Sequence, residues 1–383
     1  MESVNDNHIG RNTVAQRTAL VSGASFAGLS TAYWLNKLGY QVTVVEISNE
    51  LKKGGTPVDI RGKTIDVVKR MGIFAQIERN RLAPKRMEFK NADDLTVGFF
   101  QEENSDPTRA DEYEIERDVL LAILFDLVKQ DVEFIFSDSI TALHETEDTV
   151  QATFKHSPQR AFDLVFGCDG IHSAVRRIWF GHEADYVHFL EQYFSITIVN
   201  KLLIDDDTAQ MYNVPDKAIM LNAYNNKTDI VLCFRSENEI PYDYRDEEQQ
   251  RKIILEQFAG EGWRTTELLD EVMRSKTFYF DKLCQVKMPS WTKGRMALVG
   301  DSGYCASPAA GRGGSLAIDG AAALADAFQK QHGDYEAAFQ AYNTDFRPFI
   351  EAVQAEAVHV GLELLVPRTE EAIQKRNTQL AGF

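Results

Sequence analysis

The stretch Thr18–Glu46, TALVSGASFAGLSTAYWLNKLGYQVTVVE, decides how the chain is read. An apolar strand, Ala19 to Ser22, runs into a glycine turn and then a helix with apolar residues at helical spacing. A second apolar strand ends on Glu46. This is a βαβ unit. Within its turn Gly23, Ser25, Ala27 and Gly28 form a glycine fingerprint whose middle position is serine where glycine is usual. A helix opening there offers unpaired N–H groups and a positive dipole end to a phosphate. Glu46, eighteen residues past Gly28, supplies the carboxylate expected to hold a ribose hydroxyl. A βα turn without a ligand is the plain alternative; strand, turn, helix and acid occurring together favour the phosphate site. Two look-alikes carry no chemistry. Tyr33 and Lys37 imitate a dehydrogenase pair, but they sit on this first helix, out of reach of a distant nicotinamide. Gly62-Lys63-Thr64 ends like a phosphate loop, yet Pro57 stands where its first glycine is needed.

A second stretch, GDSGYCASPAAGRGGSLAIDGAAALADA at residues 300–327, follows the apolar run Met296 to Val299. Glycine costs backbone entropy and adds nothing to a core, so this density of small residues implies that something bulky lies against the main chain. Between the two stretches, FDLVFGCDG reads as a buried strand at 162–167 followed by a sharp turn at Asp169 and Gly170.

Composition narrows the partners. The 383 residues carry 58 acidic and 41 basic side chains, a formal charge of −17, which disfavours nucleic acid and anionic membranes and points to a small molecule. The four cysteines, Cys168, Cys233, Cys284 and Cys305, are scattered and form no C-x-x-C pair, which fits a reduced, cytoplasmic setting. The polar N-terminus and the lack of any run of eighteen apolar residues argue against secretion or membrane spanning. No metal site is expected, because His182 and His188 stand six residues apart and would not share a helix face.

The chain divides by pattern. Residues 1–17 read as a flexible leader and 18–181 as the first part of a dinucleotide-binding domain. Residues 182–284 read as an antiparallel, β-rich substrate domain, 285–333 as the return to the first domain, and 334–383 as a C-terminal helix region. The fold class is α/β, Rossmann-like, with an inserted β-rich domain and a long C-terminal helix. That helix reads as a brace between domains, with a dimer contact or a pocket lid as the alternative; a monomer is expected.

Taken together, Asp163 to Arg176 around Asp169-Gly170, Gly300-Asp301, and Pro308-x-x-Gly311-x-Gly313 resemble the single-component FAD-dependent aromatic hydroxylases, the p-hydroxybenzoate hydroxylase-like family. The order of motifs is also the family's, spanning residues 19 to about 330. The resemblance implies that Asp301 ends a parallel strand and faces ribityl or ribose hydroxyls. Gly311, Gly313 and Gly314 would open a helix beneath the flavin ring, and Pro308 would border it. Arg117 would approach the flavin phosphates or the ribityl chain, and a guanidinium suits a pyrophosphate. Gly54, Gly55, Asp59 and Arg61 would lie in a flavin-side loop, and Asp169 and Gly170 would link the flavin to the nicotinamide path.

The implied chemistry is reduction of FAD by a transient NADPH or NADH, addition of O2 to give the C4a-hydroperoxide, and oxygen transfer to an electron-rich carbon. Tyr304-Cys305-Ala306-Ser307-Pro308 and GGTPVDIRG at residues 54–62 are similar to the bacterial subgroup of tetracycline-modifying and polyketide-tailoring enzymes. They shift the expected substrate toward a polycyclic phenol or enol. The alternative is a flavoprotein that senses redox state without turnover. No residue is singled out as a catalytic base; Tyr212, Asn213, Tyr224, Phe234 and Arg235 are the candidates for lining the substrate pocket.

Overall fold

The computed structural model describes residues 16–101 and 112–381. Along the chain, β1 (Thr18–Ser22), α1 (Phe26–Lys37) and β2 (Gln41–Glu46) form the expected βαβ unit. They are followed by β3 (Val58–Arg61), α2 (Lys63–Arg70), α3 (Phe74–Arg79), β4 (Arg86–Lys90), β5 (Thr96–Gln101), β6 (Glu112–Ile115) and α4 (Arg117–Val128). Then come β7 (Glu133–Phe136), a three-stranded sheet of β8 (Ile140–Glu145), β9 (Val150–Phe154) and β10 (Arg160–Phe162), and β11 (Leu164–Gly167). The middle of the chain holds β12 (Val187–Val199), β13 (Thr208–Val214), β14 (Lys217–Tyr224), β15 (Lys227–Arg235), α5 (Glu247–Phe258), α6 (Thr265–Arg274) and β16 (Phe278–Val286). The last part contains β17 (Thr292–Lys293), β18 (Met296–Leu298), α7 (Asp301–Tyr304), α8 (Gly313–Lys330), α9 (Tyr335–Glu356), α10 (Leu362–Leu365) and α11 (Glu370–Ala381).

Two sheets organise these elements. The first has the order β17-β18-β11-β1-β2-β7, and from β18 to β7 every pairing is parallel. A parallel sheet is covered on both faces, and this explains the unbroken apolar runs in β1, β2, β11 and β18. Helix α1 is buried continuously from Phe26 to Leu35 because sheet, α4 and α8 surround it.

The second sheet has the order β16-β12-β15-β14-β13-β4-β5. The expected segment 182–284 contributes most of it, but β4 and β5, placed by the sequence pattern in the first domain, complete it through parallel pairing of β4 with β13. No local pattern reports such a distant pairing. Alternation sorts its side chains. Tyr193, Tyr212, Ile219, Leu221, Leu232 and Phe234 pack on one face against Ile254, Phe258 and Leu268 of α5 and α6. Phe194, Val231, Cys233 and Leu283 on the other face meet Leu362, Val366 and Ala309. Tyr212 and Phe234 therefore belong to the core behind the sheet and are not pocket walls.

The amino-terminal end corrects one further expectation. Of the expected leader, residues 1–15 lie outside the described residues, whereas Arg17 is part of the fold and donates from Nη1 to the Gly333 carbonyl at 3.0 Å. The long C-terminal helix is present as expected: the backbone stays helical from Tyr335 to Leu365, a π turn at Ala357–Gly361 joins α9 to α10, and α11 follows the break at Pro367. Arg235 Nε donates to the Val366 carbonyl at 2.8 Å, and Arg376 Nη2 donates to Asn213 Oδ1 at 2.6 Å. Asn213 and Arg235 thus tie this segment to the sheet.

The placement of Phe234 has a measurable consequence. Phe234→Ala should lower unfolding free energy by about 3–5 kcal/mol in urea denaturation, as for a large core truncation. A pocket residue would leave stability near wild type and alter only substrate dependence.

Candidate active site

The parallel strands β18, β11, β1 and β2 all end on one edge of the first sheet, and the sequence motifs are gathered there. In open α/β sheets this carboxyl edge, where connections leave in opposite directions, is the ligand crevice. Gly23 has φ +101°, and a Cβ there would lie 2.5 Å from the Cys168 carbonyl oxygen. At Gly28 a Cβ would lie 1.8 Å from the Gly23 oxygen. Both glycines serve close packing of turn, strand and helix. Ser25 is the N-cap residue of α1, which has neither a side-chain cap nor an acid in its first turn. Its leading N–H groups are free for an anion. Ala27 is small for a different reason: a Cβ on Gly300 would come within 2.9 Å of its methyl group.

Glu46 sits at the adjacent strand end, with Oε2 accepting from the Ala24 amide at 2.8 Å and Oε1 from the Ser48 amide at 2.9 Å. Arg117, at the start of α4, stitches the glycine loop to this edge. Its Nη1 donates to the Lys52 and Gly54 carbonyls at 3.0 Å each, and Nη2 donates to Ser25 Oγ at 3.3 Å. Gly55 has no room for a side chain, since a Cβ would lie 2.7 Å from Arg117 Cδ, and the Gly54 amide is held by Asp118 Oδ1 at 2.9 Å. Burial pulls the Arg117 pKa down, but a guanidinium remains charged at any ordinary pH.

On the late motif the structure departs from expectation in two details. Asp301 does not end a strand: β18 stops at Leu298, Gly300 turns the chain with φ +74°, and Asp301 opens α7. Burial raises its carboxyl pKa. Similarly, α8 opens at Gly313, whereas Gly311, with φ +61°, closes a short 3₁₀ turn begun by Pro308. Helix α8 also starts without a side-chain cap or a first-turn acid, and nothing lies within 4 Å of a Cβ built on Gly313. A Cβ on Gly314 would lie 3.2 Å from the Phe26 ring, so the starts of α1 and α8 abut.

Asp169 is held by its own turn and by the end of β1, where Ser22 Oγ donates to Oδ2 at 3.4 Å. Its Oδ2 accepts from the Ala174 and Val175 amides at 2.8 and 3.1 Å, and Ser173 Oγ donates to Oδ1. Gly170, with φ +77°, lets the chain turn away from it. The next residue but one, His172, was missed by motif reading. Its Nδ1 lies 3.1 Å from Glu183 and its Nε2 3.3 Å from Asp281 on β16, while its ring stacks on Tyr244 at 5.0 Å. Tyr242 and Tyr279 each donate to Asp281 at 2.9 Å. This cluster fastens the turn at Asp169 to the second sheet.

Asp59 and Arg61 lie on β3, which packs on the start of α8: Ser315 Oγ donates to the Asp59 carbonyl at 2.6 Å. With Met87, Ala209, Met220 and Asn222 they line a pocket of about 330 Å³ between the β3–β6 ribbon and the second sheet. Burial, followed by the charge of Glu114, pushes the Asp59 carboxyl up to about 6. Arg61 Nη2 is 3.9 Å from where a Gly311 Cβ would stand, so this pocket adjoins the glycine loop. Tyr224 lines a smaller cleft of about 150 Å³ with Gly54, Gly55 and Arg117. Among the described residues no group of three or more His, Cys, Asp or Glu side chains could hold a metal, and no helix is long and apolar enough to cross a membrane.

Two uncapped helix starts, an open glycine cradle, a strand-end carboxylate and a convergent arginine fit a flavin dinucleotide. Fold and site define a flavoprotein of the dinucleotide-binding α/β class. A family model described as an FAD binding domain matches residues 16–357, and the chain belongs to that family. A flavin-dependent monooxygenase of Legionella longbeachae serogroup 1 (strain NSW150) is 35% identical over 369 residues, covering 95% of this chain and 94% of its own. The crystal structures of tetracycline destructases Tet(51) and Tet(55) superpose with TM-scores of 0.84 each, at 34% and 35% identity. They cover 96% of this chain and 96% and 95% of theirs. The protein is a flavin-dependent monooxygenase with FAD as its cofactor.

The His172 cluster makes stability depend on pH. Burial alone would lower the His172 pKa, but its hydrogen bonds to Asp281 and Glu183, with their charges, raise it to about 9. Arg176 and Lys282 also face the cluster, on Glu183 and beside Asp281. The folded state therefore binds the proton more tightly than the unfolded chain, and the stabilisation is full below the ordinary histidine pKa of about 6.5. It is lost as pH rises toward 9. His172→Gln should lower the melting temperature most at pH 6, with the gap to wild type narrowing by pH 9.

Proposed function

We propose that the protein uses NAD(P)H and O2 to hydroxylate a polycyclic phenol or enol, with tetracycline-like ring systems as the leading class. The observation that carries this reading is the pocket of about 330 Å³ beside the glycine loop, with Met87, Ala209 and Met220 among its walls and polar groups at its edges. A pocket of that composition suits a ring system with several oxygens. The likeness to Tet(51) and Tet(55) supports the same class.

In this reading Glu46 holds the adenosine ribose, and the N–H groups at Ser25 and Arg117 hold the pyrophosphate. Asp301 holds the ribityl hydroxyls, and Pro308, Gly311, Gly313 and Gly314 lie along the ring system. When bound, FAD supplies hydride acceptance and oxygen activation. The chain's own work is to place the substrate over that loop, keep water out, and hold both sheets in register. The free N–H groups at Gly313 and Gly314 stabilise negative charge that gathers above them. Asp169 and His172 position the turn that packs against Gly23.

Two measurements test the reading. Arg117→Met should retain FAD at least tenfold more weakly, a change of about 1.4 kcal/mol, read from absorbance after dialysis. Wild-type protein should consume NADPH or NADH together with oxygen when given polycyclic phenols including tetracycline, and the product should gain one oxygen by mass. A yellow protein whose NAD(P)H oxidation no aromatic compound stimulates would instead be a non-catalytic flavoprotein.

A further inference from the structure

The seam between the two sheets runs along the start of β16, where three residues spaced by two have different surroundings. Thr277, just before the strand, touches the Gly54–Gly55 loop: a Cβ on Gly54 would lie 3.1 Å from its Cγ2. Asp281 holds His172 of the turn after β11, whose Nε2 is 3.3 Å away. Between these two contacts stands Tyr279, which is 39% exposed although it is flanked by both. Its ring is fixed in place. The hydroxyl donates to Asp281 Oδ2 at 2.9 Å, and the Phe194 ring lies 5.6 Å away between centroids. Lys52 Nζ stands 5.8 Å from the Tyr279 centroid, and the Lys52 carbonyl accepts from Arg117 Nη1, so Tyr279 and Arg117 meet across one residue of the loop. The phenol is also within electrostatic reach of both Arg117 and Asp301. Tyrosine presents an apolar face and a polar tip. With its one proton given to Asp281, the Tyr279 oxygen keeps lone pairs to accept with and no proton to donate.

We infer that Tyr279 is the second sheet's contact to bound FAD: its ring packs on the ribityl chain between Arg117 and Asp301, and its oxygen accepts from a ribityl hydroxyl. The cofactor is then clasped between the two sheets and not held by the first alone. The hydrogen bonds from Tyr279 and His172 to Asp281 fix this clasp to the turn after β11. The inference rests on the placement of the pyrophosphate at Arg117 and of the ribityl chain at Asp301, and it is independent of the substrate.

Calorimetric titration of the full chain, stripped of flavin, tests this with two ligands: FAD, and ADP, which carries the adenosine and pyrophosphate but no ribityl chain. Tyr279→Leu should bind FAD about tenfold more weakly than wild type, and ADP within about twofold of it. Tyr279→Phe, which keeps the ring and loses the acceptor, should bind FAD about threefold more weakly, again with ADP unchanged. Arg117→Met should weaken both ligands. Equal loss of FAD and ADP in the Tyr279 variants would mark a ring that only packs the seam and overturns the assignment, as does wild-type FAD affinity in both. Should Tyr279→Leu fail to fold, Tyr279→Phe decides alone: unchanged FAD affinity, or a parallel loss of ADP, sinks the proposal. If the Tyr279 pattern appears while Arg117→Met leaves ADP binding untouched, the tyrosine contact stands and the pyrophosphate placement fails.

Discussion

The contact between the start of α1 and the start of α8 is the constraint on which the site depends. Phe26 faces Gly314, and Gly300 leaves just enough room for Ala27, so two helix ends with unpaired N–H groups are held side by side. Each end repels another positive dipole end, and a bound anion or electron-rich ring offsets that cost. The glycines at 23, 28, 300 and 314 therefore have distinct roles. These exist because neighbouring backbone or side chains come too close, whereas nothing lies within 4 Å of a Cβ built on Gly313 or Gly170.

A second requirement is that the substrate sheet be held over this edge. Three ties do so from different parts of the sequence. His172 and Asp281 join the turn after β11 to β16, and Arg235 and Asn213 grip the C-terminal segment. Leu362 and Val366 then pack on the sheet together with Ala309 from the glycine loop. The C-terminal segment is thus more than a brace. Its π turn brings Gly361 against the Ala309 carbonyl, where a Cβ would stand 2.2 Å from the oxygen.

Much of the flavin side was legible because its signals are local. Strand, glycine turn, helix and acid at Thr18–Glu46 lie within one short stretch, and the sequence shows each of them. In the late motif β18 ends at Leu298, three residues before Asp301, whereas MALV reads as strand through Val299; the turn at Gly300 depends on packing against Ala27. The substrate side was less legible. Tyr212 and Phe234 attracted notice as aromatics, but period-two alternation through KAIMLNAY and KTDIVLCFR was the better guide. It puts Met220, Asn222 and Asp229 on the opposite face from Ile219, Leu221 and Ile230. A polar residue recurring on one face of an otherwise apolar strand was the available signal. His172 had no such signal, since both its carboxylate partners are placed by tertiary structure.

The parallel pairing of β4 with β13 has a consequence for how the chain reaches this state. Beyond pairing with each other, β4 and β5 have no neighbours in their sheet until β13, more than a hundred positions later, has been made, and β16 completes the opposite edge later still. During synthesis the early hairpin must wait with its edge exposed, because the amino-terminal half cannot mature as a separate unit. Cutting the gene at the apparent boundary near residue 181 would leave each fragment with an incomplete sheet, so the two halves must be inherited, expressed and exchanged as one piece.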